Sequence, residues 1–234
     1  MFMHFEVEGD AMEIARTVRA AWETLAGSIE VTAPRPFGHG PLRIDFDGGE
    51  ADILPADFTT ALTGGGGPVS WVTKADPTAR SGGKVLAQTS TDDTDNRFPL
   101  AVYEKFTAKD VSVSVHFKAV AGQVDQAAGL VARYRDANNY YITRANALEG
   151  NVRLYKVEGG RRKQFAGANC PVPSGEWQTL TLVVKGKHFN VFFNDKLLIE
   201  ADDEAFSEAG KVGLWTKADS VTYFDDLTVE ELKP

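Results

Sequence analysis

Beyond Pro41 the apolar residues of this chain return at every second position, in short runs cut by Gly, Asn, Asp and Pro. That period dictates extended backbone with one buried face and one outward face. Roughly a dozen such runs follow one another, over residues 42–46, 69–73, 84–88, 100–106, 111–119, 127–135, 140–147, 151–157, 178–185, 188–194, 196–201, 211–216 and 221–230. So many short strands predict two packed antiparallel sheets, a jelly-roll sandwich, rather than a small barrel.

The first forty residues keep a different period. Met12, Ile14, Ala15, Val18, Ala21, Trp22 and Leu25 recur at helical spacing, and Asp10 with Glu13 has the form of a capping box. An amphipathic helix is expected there, ending toward Gly27 and followed by the breakers Pro34, Pro36, Gly38, Gly40 and Pro41. The expected organisation is a helical extension and connector over 1–40 and one all-β sandwich over 41–234. The helix either docks on the sandwich or serves self-association.

A formal net charge of −8 excludes a surface built to neutralise phosphate, so nucleic acid is not an expected partner. No run is long and apolar enough to span a bilayer, and Met1–Glu6 lacks the basic head and apolar stretch of a signal, which leaves either a cytoplasmic chain or one whose signal was removed. The single Cys170 forms no internal disulfide and reads as a small hydrophobe.

The clearest unit is a meander over 127–157. A turn at Asp136-Ala137-Asn138-Asn139 would pair Arg135 with Tyr140 and Val131 with Arg144, and a second turn at Glu149-Gly150 would bring Arg144 near Tyr155. In that register Leu130, Ala132, Tyr134, Tyr141, Thr143, Ala145, Val152 and Leu154 face the core. Val131, Arg133, Arg135, Tyr140, Ile142, Arg144, Asn146, Arg153 and Tyr155 share the other face.

The run Gly129-Leu130-Val131-Ala132-Arg133-Tyr134-Arg135-Asp136, with Asn139-Tyr140-Tyr141 and Arg144-Ala145-Asn146, resembles the central hairpin of bacterial concanavalin A-like domains of the laminin G-like and 3-keto-disaccharide hydrolase-like kinds. Gly175-Glu176-Trp177, Asn194-Asp195-Lys196, Gly210–Trp215 and Phe224-Asp225-Asp226 resemble their later strands and turns. Gly64–Gly67 ahead of Trp71, with Leu86–Ser90, resembles small relatives of family 16 glycoside hydrolases. The resemblance implies a carbohydrate-handling fold. It leaves open a hydrolase, a lyase or a non-catalytic laminin G-like interaction module.

Sugar recognition calls for planar donors and acceptors that engage neighbouring hydroxyls, with an aromatic ring against the apolar face of the pyranose. The expected ligand-binding set is therefore Arg133, Arg144 and Asn146, joined by Tyr155, Gln88, Arg97, Trp71 and Trp215 from adjoining strands. The same face also reads as a solvated surface with arginines lying along tyrosines. Glu200-Ala201-Asp202-Asp203-Glu204 has the carboxylate spacing of a family 16 catalytic strand, but without alternating apolar residues to hold it in a cleft it reads as a solvated acidic loop. No catalytic residue is assigned. Asp45, Asp47, Asp225 and Asp226, on the first and last strands, are a candidate calcium set of hard oxygen ligands, and no cofactor is required. Gly64-Gly65-Gly66-Gly67-Pro68 lacks the Lys-Ser or Lys-Thr ending of a phosphate loop and reads as a flexible turn.

Overall fold

Alternation produces strands almost throughout the computed structural model, which describes residues 40–233. The expected N-terminal helix and any self-association through it lie outside the described residues. The strands are β1 (Leu42–Ile44), β2 (Phe58–Gly64), β3 (Trp71–Ala75), β4 (Lys84–Gln88), β5 (Arg97–Ala108), β6 (Val111–Ala121), β7 (Ala127–Asp136) and β8 (Asn139–Asn146). They continue with β9 (Asn151–Glu158), β10 (Arg161–Asn169), β11 (Gln178–Lys185), β12 (His188–Phe193), β13 (Lys196–Asp202), β14 (Gly210–Trp215) and β15 (Val221–Glu231). All pairings are antiparallel and fall into two sheets. One runs β13-β12-β11-β6-β15-β4-β3, with β1 also on β15, and the other runs β10-β9-β8-β7-β14-β5-β2.

Inward residues of both sheets fuse into one core, where Phe117, Leu180, Leu182, Phe189 and Phe224 meet Leu130, Tyr141, Leu154 and Leu214. A sandwich normally leaves its outer faces wet. Here the outer face of the seven-stranded sheet carries a second buried cluster: Phe98, Leu100, Val102, Ala127, Val131, Tyr140, Ile142, Tyr155, Val157 and Trp215.

The meander shows why both clusters form and where the sequence register errs. Asp136 pairs with Asn139 as the turn requires, but a bulge between Ala132 and Asp136 shifts the pairing, so Val131 faces Ile142 and Gly129 faces Arg144. Arg133 sits in the bulge with φ 49°. Two extra residues of β7 are taken up there opposite β8, and the left-handed turn at Arg133 inverts the alternation. Arg133 therefore leaves the outer face, while Tyr134, expected in the core, packs on the outer cluster against Tyr140. In the next hairpin Ile142 is opposite Tyr155 and Arg144 opposite Arg153.

Two strands have no counterpart in the sequence pattern. β2 runs Phe-Thr-Thr-Ala-Leu-Thr-Gly, and β10 begins Arg-Arg-Lys-Gln. Both are edges of their sheet, where charged and polar residues discourage further pairing and erase the alternation.

Candidate functional site

The outer face of the seven-stranded sheet places its side chains in cross-strand rows. One row runs Leu100, Trp215, Gly129, Arg144, Arg153 over β5, β14, β7, β8 and β9. Gly129 contributes no side chain, and a Cβ there would stand 2.9 Å from the Thr143 carbonyl oxygen and 3.2 Å from Trp215 Cβ. Ile142 and Trp215 close over that position, so the row brings an indole and a guanidinium together with no room for a side chain between them.

Arg144 is 3% exposed. Its Nη1 donates to Asn151 Oδ1 (2.5 Å), and its Nη2 donates to Glu149 Oε2 (2.7 Å) and to the Tyr155 hydroxyl oxygen (3.1 Å). Nε is buried without an acceptor. Burial would raise the Glu149 carboxyl, but bonds from Asn151 and Arg144 outweigh it and hold the group below its ordinary range.

Asn146 organises the neighbouring turn. Its Oδ1 accepts from the N–H groups of Leu148 (2.9 Å) and Glu149 (3.1 Å), the asparagine turn that aims Glu149 back at Arg144. Gly150 closes that turn at φ 60°. Asn146 Nδ2 donates to Asp125 Oδ1, and Lys217 Nζ donates to Asp125 Oδ2 (2.7 Å) and to Asp95. Burial pushes the Asp125 carboxyl up, partly offset by Lys217. Burial also works against the Lys217 charge, yet its two carboxylate partners together raise it.

The loops bearing these groups are locked from behind. Asp219 accepts from the N–H groups of Gln123, Val124 and Asp125. Arg97 brackets Ala218, its carbonyl accepting from Ala218 N–H (2.8 Å) while its Nη1 donates to Ala218 O (3.1 Å). Its Nη2 and Nε donate to Pro68 O and Gly67 O, which ties down the glycine run. Gln88 Nε2 donates to Ser220 O (2.7 Å).

Arg162, from β10, lies over the aromatic floor. Its guanidinium carbon is 4.6 Å from the ring centres of Phe98 and Tyr155 and 5.6 Å from that of Trp215. Phe98 and Trp215 stack at 5.3 Å and 17°.

Of the residues expected to bind ligand, Arg144, Asn146, Tyr155 and Trp215 share this face. Trp215 is fully buried, so it floors the site rather than lining it. Gln88 and Arg97 are buried supports that position the Lys217–Ser220 turn. Trp71 packs on Phe224 in the core between the sheets, because β3 turns that side inward. Arg133 points away and donates to Lys109 O, Phe206 O, Gly186 O and Asp110. Asp125, Glu149, Asn151, Arg162 and Lys217 went unrecognised, since their loops and edge strand carry no alternation. The Asn146–Gly150 turn pattern was the one signal pointing to Glu149.

The four aspartates of the candidate calcium set are engaged by donors. Asp226 takes Arg43 and Ser81, Asp225 takes the N–H groups of Arg80 and Ser81, Asp47 takes Lys84 N–H, and Asp45 takes Asp47 N–H. Among the described residues no group of three or more His, Cys, Asp or Glu gathers to hold a metal. Glu200, Asp202 and Glu204 are exposed. No helix among the described residues is long and apolar enough to cross a membrane.

Residues 60–230 match the family described as the 3-keto-alpha-glucoside-1,2-lyase-like domain. The chain belongs to that family. Over 98 residues it is 31% identical to levanase of Bacillus subtilis, a stretch covering 41% of this chain and 14% of levanase. The carbohydrate-binding module CBM66 from Bacillus subtilis is similar in fold, with a TM-score of 0.59 and 24% identity over 75% of this chain and 96% of the module. A xylan beta-1,4-xylosidase from Bacillus halodurans gives a TM-score of 0.53 at 17% identity, over 86% of this chain and 41% of that enzyme.

Proposed function

We propose that this family member binds a saccharide on the outer face of its seven-stranded sheet, through Arg144, Asn146, Tyr155, Glu149, Lys217 and Arg162. The observation that carries the reading is Arg144. A guanidinium taken out of water on a sheet face normally satisfies its donors on fixed carbonyls. This one instead grips side chains that can re-pair with hydroxyls and keeps Nε free. The match to part of levanase, and the carbohydrate-binding protein among the similar folds, support the same reading.

Binding is favoured over turnover. Asp125 is the carboxyl here that burial raises, as a general acid would need, but Asn146 and Lys217 occupy both its oxygens.

The test is a thermal-shift screen of the full chain against neutral and acidic oligosaccharides, with calcium and a chelator as separate arms. A saccharide that binds only the folded state raises Tm in proportion to ln(1 + [L]/Kd). The expected result is a sugar-specific rise that persists in His188→Ala, on the opposite sheet, and vanishes in folded Arg144→Ala. A rise unaffected by Arg144→Ala places binding elsewhere, and a flat screen favours a non-catalytic interaction module.

A further inference from the structure

The site's unmet buried hydrogen-bonding capacity is one-sided. The charged side chains of the outer face of the seven-stranded sheet leave Arg144 Nε and Arg162 Nη1 buried without a partner. Both are donors. Of the nearby acceptors, Asp125 is engaged by Asn146 and Lys217, Glu149 Oε2 by Arg144 and Asn151, and Asn151 Oδ1 by Arg144, which leaves only Oε1 of the half-exposed Glu149 open.

One cation there lacks a partner. Arg144 is paired with Glu149, and Lys217 with Asp125 and Asp95. Arg162 has no carboxylate within ion-pair distance among the described residues, and it lies against the same Tyr155 ring as Arg144. Burial first, and repulsion from Arg144, hold the Arg162 guanidinium below its ordinary range, though it stays protonated. A neutral sugar hydroxyl offers acceptor lone pairs but also a proton needing an acceptor of its own. A carboxylate accepts only, and its two oxygens match the planar fork of an arginine set over aromatic rings.

We propose that the ligand of this face is an acidic saccharide, whose carboxylate is bound by Arg162 with help from the free Nε of Arg144. The proposal rests on the saccharide-binding reading above and adds the charge of the sugar. Arg162 is the specificity-determining residue, while Arg144 and Asn146 engage hydroxyls common to acidic and neutral sugars.

The test titrates the full chain, by calorimetry, with tri-galacturonate, its methyl ester and the neutral galactose trisaccharide. The acid is expected to bind about tenfold or more tighter than the ester, the worth of a charge-assisted buried bond, and the advantage is expected to shrink as salt rises. Arg162→Gln is expected to erase the difference between acid and ester, and Arg162→Lys, which keeps the charge without the fork, is expected to fall between. The comparison of acid with ester in the unaltered protein needs no variant, so it stands even if a substitution impairs folding. Equal or tighter binding of the ester or the neutral sugar overturns the acidic-ligand inference and leaves saccharide binding intact. Failure of all three probes, repeated with tri-glucuronate and its ester, overturns both.

Discussion

Two buried arginines on the two arms of one hairpin, Arg133 on β7 and Arg144 on β8, are used in opposite ways. Arg133 spends its donors on the main-chain carbonyls of Lys109, Phe206 and Gly186, and on Asp110, so it rivets three loops together. Arg144 reaches side chains only, one of them the half-exposed Glu149. A carbonyl in a fixed loop cannot leave to make room for a ligand, whereas a carboxylate or hydroxyl can rotate away and be replaced. Burial alone therefore does not mark a functional arginine. The nature of its partners does.

The largest expected effect tests the rivet. Arg133→Ala strands three carbonyls and Asp110, and is expected to cost about 3 kcal/mol or more. For a domain of this size that lowers Tm by roughly 6–12 °C. Arg144→Ala is expected to cost about 1–2 kcal/mol, because Glu149 can turn to water, while abolishing saccharide binding. Calorimetric unfolding of both variants beside a ligand titration checks the ranking. If Arg144→Ala proves the more destabilising, the contrast is broken and Arg144 is itself architectural.

An intermediate effect is expected at the loop that presents Asp125. Burial would raise the Asp219 carboxyl, but N–H groups from Gln123, Asp125 and Val124 outweigh it and hold the group below its ordinary range. A group depressed in the folded state stabilises above its unfolded pKa and loses that contribution as pH falls through the folded value. Amide exchange at 123–125 is therefore expected to accelerate on acidification below about pH 4. Asp219→Ala is expected to produce the same loosening at neutral pH, at a cost of about 1–3 kcal/mol. Unchanged exchange in the variant would show that the loop is held by other contacts.

The comparison also shows what alternation reveals and what it conceals. The sandwich, the meander and the inward set Leu130, Ala132, Tyr141, Ala145, Val152 and Leu154 were legible, because period-2 burial is written directly into residue type. Arg144, Asn146 and Tyr155 followed from the same parity. The bulge at Arg133 was not legible, since a short irregularity in pairing leaves no compositional mark, and it moved both Arg133 and Tyr134 to the wrong face. Trp71 was misplaced for a different reason: an aromatic residue on a strand serves the core and a sugar platform equally well until its parity is anchored. Lys217, Asp125 and Arg162 come from a tight turn, a connection and an edge strand, where long-range packing rather than local pattern decides what faces the site.

The smallest expected effect on stability belongs to a third arginine and sharpens the contrast most. Arg162 lies across Phe98, Tyr155 and Trp215, yet forms no ion pair within 4 Å among the described residues and leaves Nη1 buried without an acceptor. Its removal subtracts cation–π contacts, each worth about 0.5–1 kcal/mol at such sites, and at the same time relieves an unsatisfied donor of opposite sign and similar size. The unfolding free energy of Arg162→Ala is therefore expected to stay within about 0.5 kcal/mol of the parent, while Trp215 emission shifts to the red and becomes quenchable by acrylamide as water reaches the indole. Trp71, sealed between the sheets, provides an internal reference that does not respond. A loss well above 1 kcal/mol with Trp215 still shielded would make Arg162 a second rivet like Arg133, and the aromatic floor would then be core rather than the base of a site.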